Sequence, residues 1–100
     1  MTEIVNLYKE PYDVYIGRAG KGQDGYFGNP FKVNEALSLE GVISKYREYF
    51  YERINNDHEF KSRIEQLRGK VLGCFCKPKP CHGDVIVAYL AQLFEEEVID

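Results

Sequence analysis

The stretch from Val71 to Asp84, V-L-G-C-F-C-K-P-K-P-C-H-G-D, constrains this chain more than any other. An apolar run ends at Lys77-Pro78-Lys79-Pro80, where two prolines withhold their ladder donors and no strand continues. Cys81-His82-Gly83-Asp84 then leads into an apolar-periodic segment from Val85 to Phe94. The pattern predicts a strand over Lys70 to Cys76, a loop, and a helix from Asp84 to about Glu97. Because the strand is apolar almost without interruption, it is expected to be covered on both faces, as the centre of a parallel sheet is.

Upstream, Ile4 to Leu7 and Asp13 to Gly17 read as two short strands separated by Lys9-Glu10-Pro11. The segment Gly17 to Pro30 carries five glycines and a proline, with Arg18 and Lys21 as donors suited to an anion. It follows a strand directly, and in open α/β sheets ligands gather at the carboxyl ends of strands. It is neither a Walker loop nor a dinucleotide-binding fingerprint. Ser38 is placed to cap a helix whose residues Val42, Ile43, Tyr46, Tyr49, Phe50 and Ile54 recur every three or four positions. Asn55-Asn56-Asp57 breaks it, Asp57 caps a second helix running to Leu67, and Arg68-Gly69 closes that one. The aromatic face of the first helix is read as core in preference to a stacking platform for bases, or as a surface for a second subunit in a homodimer. His58 is expected to be an ordinary exposed residue. The element order predicts an α/β fold: a small Rossmann-like layered domain, residues 1–100, with a short, mainly parallel sheet of about three strands flanked by helices.

Composition narrows the function classes. At 44% hydrophobic and 29% charged residues, the 100-residue chain has enough apolar material for a core. A net charge of −3 argues against stable nucleic-acid binding through a broad basic face. No apolar run approaches the roughly 20 residues of a membrane span, and the amino terminus lacks a signal-peptide layout, so a cytoplasmic protein is expected. Three cysteines within eight positions are an odd number, which suits ligands, reactive thiols or core residues better than a disulfide framework.

Three chemistries compete for the Cys-His stretch. The first is anion capture by the amides of Gly83, Asp84 and Val85 at the helix start. Lys77 and Lys79 would add charge there, with Arg18 closing from the glycine-rich loop if the second and third strands are neighbours. Asp84 is also a good cap and competes for those amides. The second is zinc at Cys74, Cys76, Cys81 and His82: the first two share a strand face, although the spacing departs from standard zinc patterns. Against it stands the common role of buried cysteines as small hydrophobes. The third is a Cys81 nucleophile before a helix start. His82, adjacent in sequence, is expected to point away from Cys81 and to act instead as a general acid or as a donor to a ligand, unless it only fixes the loop by a hydrogen bond.

The blocks V-N-L-Y-K-E, V-Y-I-G-R with G-N-P-F, and L-R-G-K-V-L-G-C-F-C-K-P-K-P-C-H-G-D-V-I resemble a small bacterial and bacteriophage family, domain of unknown function 4326, from about Val5 to Leu90. Ala19 to Tyr26 is a glycine-rich insertion relative to that pattern. The family's motifs fall on Arg18, Asn29, Cys81, His82 and Asp84. A phage origin would make two roles natural: handling of nucleotides or modified bases, and interference with nucleotide-based host defence signalling.

The leading expectation is a nucleotide or related phosphate-containing small molecule bound at the strand ends, with no cofactor. Gly17, Arg18, Asn29, Lys77 and Gly83 are the ligand-binding candidates, and Cys81, His82 and Asp84 the catalytic ones. Two outcomes stay open, hydrolytic or glycosyl-transfer chemistry on the ligand and sequestration of it unchanged. The reading from a different class is a non-enzymatic interaction protein with a structural zinc.

Overall fold

A computed structural model describes residues 2–18, 22, 25–31, 38–74 and 81–94. Strands β1 (Glu3–Asn6), β2 (Val14–Tyr15) and β3 (Val71–Cys74) form a parallel sheet in the order β1-β3-β2. The helices are α1 (Leu39–Asn56), α2 (His58–Glu65) and α3 (Gly83–Leu93). The α/β class and the central position of the Cys-bearing strand are therefore as the apolar pattern required. The strands are shorter than the apolar runs that announce them, and α2 stops at Glu65 rather than Leu67. Phe75, Cys76 and the carboxyl end of the last predicted helix lie outside the described residues.

Register shows how the sheet is buried. Ile4, Val14 and Leu72 are level with one another across the strands, as are Val5, Tyr15 and Gly73. Side chains alternate along a strand, so Ile4, Val14, Ile16, Leu72 and Cys74 share one face. All five belong to the hydrophobic core, packed with Tyr46, Phe50, Phe60, Ile64, Ile86 and Leu90 of the helices. Among the described residues, this helix-packed core lies on a single face of the sheet.

The other face is crossed by the link between β1 and β2. β1 and β2 run parallel on opposite sides of β3, so residues 7–13 must return from the carboxyl end of β3 to its amino end. Backbone bonds mark both ends of the return: Leu7 donates to Cys74 O (3.2 Å) and Asp13 donates to Val71 O (2.8 Å). The Asp13 carboxylate also accepts from Val71 N at 2.8 Å. Between them the Tyr12 ring lies directly over Gly73, which is buried although it offers no side chain of its own. Parallel strands are normally joined by a crossover of a dozen or more residues; here residues 7–13 pass over β3 from β1 to β2, a short link that suffices because the strands are so short.

The helices begin where the sequence signals them. Ser38 Oγ accepts from Gly41 N at 3.1 Å, and Asp57 Oδ1 accepts from Phe60 N at 3.1 Å. Asp57 also pairs with Arg53 at 3.2 Å. The Arg53 guanidinium lies 4.0 Å from the centre of the Phe60 ring and 5.2 Å from that of Tyr26, so one cation joins α1, α2 and the glycine-rich loop. Tyr46 and Phe50 are wholly buried, while Tyr51 is about one-third exposed. The aromatic stripe of α1 is thus core.

Phe50 touches Tyr46, Phe60 and Tyr89 edge-on or tilted, with centroids 5.4 to 6.0 Å apart. Phe50→Ala is expected to cost about 3–5 kcal/mol, a large share of the stability of a domain this size, read from a urea unfolding curve.

The Phe60 amide, and after it the Arg53 guanidinium, hold the Asp57 carboxyl below its ordinary value. A depressed folded value means the stabilisation is complete above the ordinary aspartate value of 3.8 and fades as pH falls through the lower folded one. Asp57→Asn keeps an acceptor at the cap but has no charge to lose. Its stability should fall less steeply than that of the wild type as pH drops below about 4, as measured by thermal melts across that range.

Candidate functional site at the carboxyl edge of the sheet

β3 ends at Cys74, and Cys81 lies beside it, with the two sulfurs 2.6 Å apart and both residues buried. His82 follows in helical conformation (φ −56°, ψ −27°). The backbone at His82 is turned rather than extended, so its side chain does not alternate away from that of Cys81 as it would in a strand. Cys81 Sγ accordingly sits 3.7 Å from His82 Nδ1, which corrects the expectation that the pair diverges. The other imidazole nitrogen, Nε2, lies 2.7 Å from the carbonyl oxygen of Ile16. A carbonyl only accepts, so Nε2 carries the proton. Burial, ahead of every other influence, holds His82 below the ordinary histidine value and favours the neutral ring, leaving Nδ1 as a lone pair facing the sulfurs. The edge of Tyr46 closes the site, its ring centroid 5.0 Å from that of His82.

The helix start is already occupied by the chain itself. Gly83 N points to Cys81 Sγ at 3.4 Å, Asp84 N donates to Cys81 O at 2.9 Å and Val85 N to His82 O at 3.0 Å. The Asp84 carboxylate reaches back to accept from Cys81 N at 3.1 Å, one arm of a capping box. The three amides expected to receive an anion all have partners, which removes the helix start as a ready-made phosphate cradle. Gly83 is small for a packing reason: a Cβ there would lie 2.6 Å from Ile16 Cδ1 and 2.8 Å from Ile4 Cδ1.

Across the site, the carboxyl end of β2 carries Ile16, Gly17 and Arg18. Because β2 pairs with β3, the glycine-rich loop and the Cys-His stretch are brought to the same edge. Arg18 Nε donates to Asn29 O at 2.9 Å, and one terminal nitrogen donates to Phe31 O. Asn29 is buried; its Oδ1 accepts from Phe31 N at 2.9 Å in a side-chain-closed turn. Gly28 passes so close to Gly17 that a Cβ would sit 2.7 Å from the Gly17 carbonyl oxygen. The Gly-Arg and Gly-Asn-Pro-Phe blocks are therefore two halves of one backbone crossing. Lys77 and Cys76 lie outside the described residues. Two open grooves of about 480 and 490 Å³ lie elsewhere, one beside Tyr51, His58 and Tyr89 and one beside Val14, Phe27 and Arg63; neither is lined by Arg18, Cys81 or His82.

Of the expected site residues, the structure gathers Gly17, Arg18, Asn29, Cys81, His82, Gly83 and Asp84 at one edge. Sequence reasoning missed Ile16, whose contribution is a backbone carbonyl and leaves no trace in residue type. It also missed Tyr46 as the wall of the site, since its spacing marks it only as core. Cys74, Cys81 and His82 each present a donor atom, all within 4.8 Å of one another.

The fold and edge define a small parallel-sheet α/β domain with a buried Cys-Cys-His cluster where β3 hands over to α3. The chain belongs to the family described as domain of unknown function 4326, whose model matches residues 4–92. It is 38% identical over 97 residues to an uncharacterised 12.4 kDa protein of the nrdA-td intergenic region of Enterobacteria phage T4, covering 97% of this chain and 84% of that protein. No solved structure matches. Among the described residues, no helix is long and apolar enough to cross a membrane.

A Gly83→Ala substitution tests the packing of this edge. Alanine normally favours a helix over glycine, so a stabilised variant would contradict the contacts with Ile4 and Ile16. The expected outcome is a loss of about 1–3 kcal/mol from overpacking, measured by denaturant titration.

Proposed function

We propose that the domain binds a small anionic ligand of the nucleotide class at the carboxyl edge of the sheet and holds it without chemical change. The observation that carries the reading is Arg18. The residue is exposed three positions after β2, and its guanidinium is oriented by the carbonyls of Asn29 and Phe31. Those bonds use two of its five N–H groups. A guanidinium held in one orientation matches phosphate better than a freely moving cation of the same charge. The crossing of Gly28 over Gly17 keeps the flanking backbone free of side-chain bulk beside it.

Binding is favoured over catalysis by what the expected catalytic groups are doing. Cys81 has no exposed surface, His82 is bonded to Ile16 O, and the Asp84 carboxylate accepts from Cys81 N. The two buried groups, Cys81 and His82, present no nucleophile or base to solvent, and the exposed Asp84 carboxylate serves the helix start. The ligand would be gripped by Arg18 and the adjoining loop, with the helix start supplying no amides.

The test is a thermal-shift panel of mono-, di- and cyclic nucleotides, together with analysis of small molecules released when the purified protein is denatured. At least one nucleotide should raise the melting temperature and be recovered intact. Arg18→Ala should weaken that ligand about 10- to 100-fold, the worth of a charged hydrogen bond, and Arg18→Lys should restore little. If Arg18 serves only to tie down the 29–31 backbone, Arg18→Ala will lower stability and leave affinity unchanged. That result, or a panel with no shift and no released ligand, sinks the proposal.

A further inference from the structure

We infer that Cys74, Cys81 and His82 form a binding site for a thiophilic divalent cation, zinc foremost, that clips the end of β3 to the start of α3. The inference is independent of the nucleotide reading, which uses none of the three donor atoms.

Donor chemistry comes first. Two sulfurs and an imidazole nitrogen suit zinc, whereas calcium and magnesium call for oxygen. Geometry follows. With zinc–sulfur bonds of about 2.3 Å and zinc–nitrogen bonds of about 2.0 Å, tetrahedral donors stand roughly 3.5–3.8 Å apart. Cys81 Sγ and His82 Nδ1 are already at 3.7 Å, and the whole set lies within 4.8 Å. The sulfurs, at 2.6 Å, would have to move apart by about 1.2 Å to share the ion. Both are side-chain atoms, so rotation about the cysteine Cα–Cβ bonds is the first means of that adjustment.

A second, separate observation is the orientation of the histidine. Imidazoles that ligate metals usually donate their other N–H to a carbonyl or carboxylate, which fixes the ring and exposes the ligating lone pair. His82 has that arrangement, with Nε2 on Ile16 O at 2.7 Å and Nδ1 turned to the sulfurs. Gly83 N also offers a hydrogen bond to Cys81 Sγ, a support of the kind given to metal-bound sulfur.

Burial makes the charge balance informative. Cys74, Cys81 and His82 are 1%, 0% and 6% exposed, where an uncompensated charge is costly. On binding, the two thiols would release their protons to solvent. The resulting pair of thiolates and the divalent ion sum to zero, with the imidazole neutral throughout. A centre this enclosed is structural rather than hydrolytic, since no substrate reaches it. The ion would replace a weak contact between two chain segments with coordinate bonds, fixing the entry to α3 and, through His82, the carboxyl end of β2.

The experiment uses the full chain purified without chelator or added metal. Native mass spectrometry and elemental analysis should find about one equivalent of zinc. Stripping the ion under reducing conditions should lower the melting temperature, and zinc, but not magnesium, should restore it. Cobalt replacing zinc should produce sulfur-to-metal charge-transfer absorption and the visible bands of a tetrahedral site. His82→Ala and Cys81→Ser should each lose the metal; should either fail to fold, the wild-type cobalt spectrum decides by itself. Protein with less than about half an equivalent of metal that also gives no thiolate–cobalt absorption overturns the inference. So does a native mass lighter by two hydrogens with Cys74 and Cys81 joined, which would make the pair a disulfide.

Discussion

The hydrogen bond from His82 Nε2 to the carbonyl of Ile16 is the contact on which the carboxyl edge depends. β2 is two residues long, and its ladder to β3 ends where Ile16 N donates to Gly73 O at 3.1 Å, short of Gly17 and Arg18. His82 adds an anchor from the start of α3, 66 residues further along the chain. The same bond sets the imidazole tautomer, turns Nδ1 to the sulfurs and lays the ring against Tyr46. One buried polar contact therefore positions the loop on one side and the Cys-Cys-His cluster on the other. A buried carbonyl or imidazole left without that partner would carry the full cost of its lost hydration.

The glycine-rich segment is held by a different kind of force. Gly28 lies on the Gly17 backbone, Arg18 and Asn29 bond to backbone around the crossing, and Tyr46 donates its hydroxyl to Phe27 O at 3.2 Å. Tyr26 is faced by Arg53 and by Arg63, whose guanidinium is 4.3 Å from the ring centre, so the loop is pinned to both α1 and α2. These contacts mix backbone hydrogen bonds with cation–ring attraction; they hold residues 26–31 in place and leave Arg18 exposed beside them. Rigidity of this sort lowers the conformational cost of binding, which is the physical case for a ligand at this edge.

Much of this arrangement was legible in residue order. The apolar run at Val71 marked a central strand, Ser38 and Asp57 marked helix starts, and the density of chemistry in 71–84 marked the edge that the tertiary structure brings together. What was not legible had physical causes. The closeness of Cys81 Sγ to His82 Nδ1 depends on backbone angles at position 82, which residue identity does not dictate. The loss of the helix-start amides to internal partners follows from where Asp84 and Cys81 point. The one-sided helix layer arises because residues 7–13 cross the opposite face, and a seven-residue tract with a proline reads as an ordinary connection.

By itself, then, the sequence determined the class of the fold, the order of its elements and the set of side chains from which a site can be built. Alternation, helical spacing and capping chemistry are local, and local rules suffice to read them. Only the tertiary structure decided that β1 and β2 take opposite sides of β3, that Ile16 and His82 meet, and that two cysteines and one imidazole converge in a buried cluster. Those are contacts between segments distant in the chain, chosen by the packing of a whole core, and in Ile16 the deciding group is a backbone carbonyl that every residue type possesses.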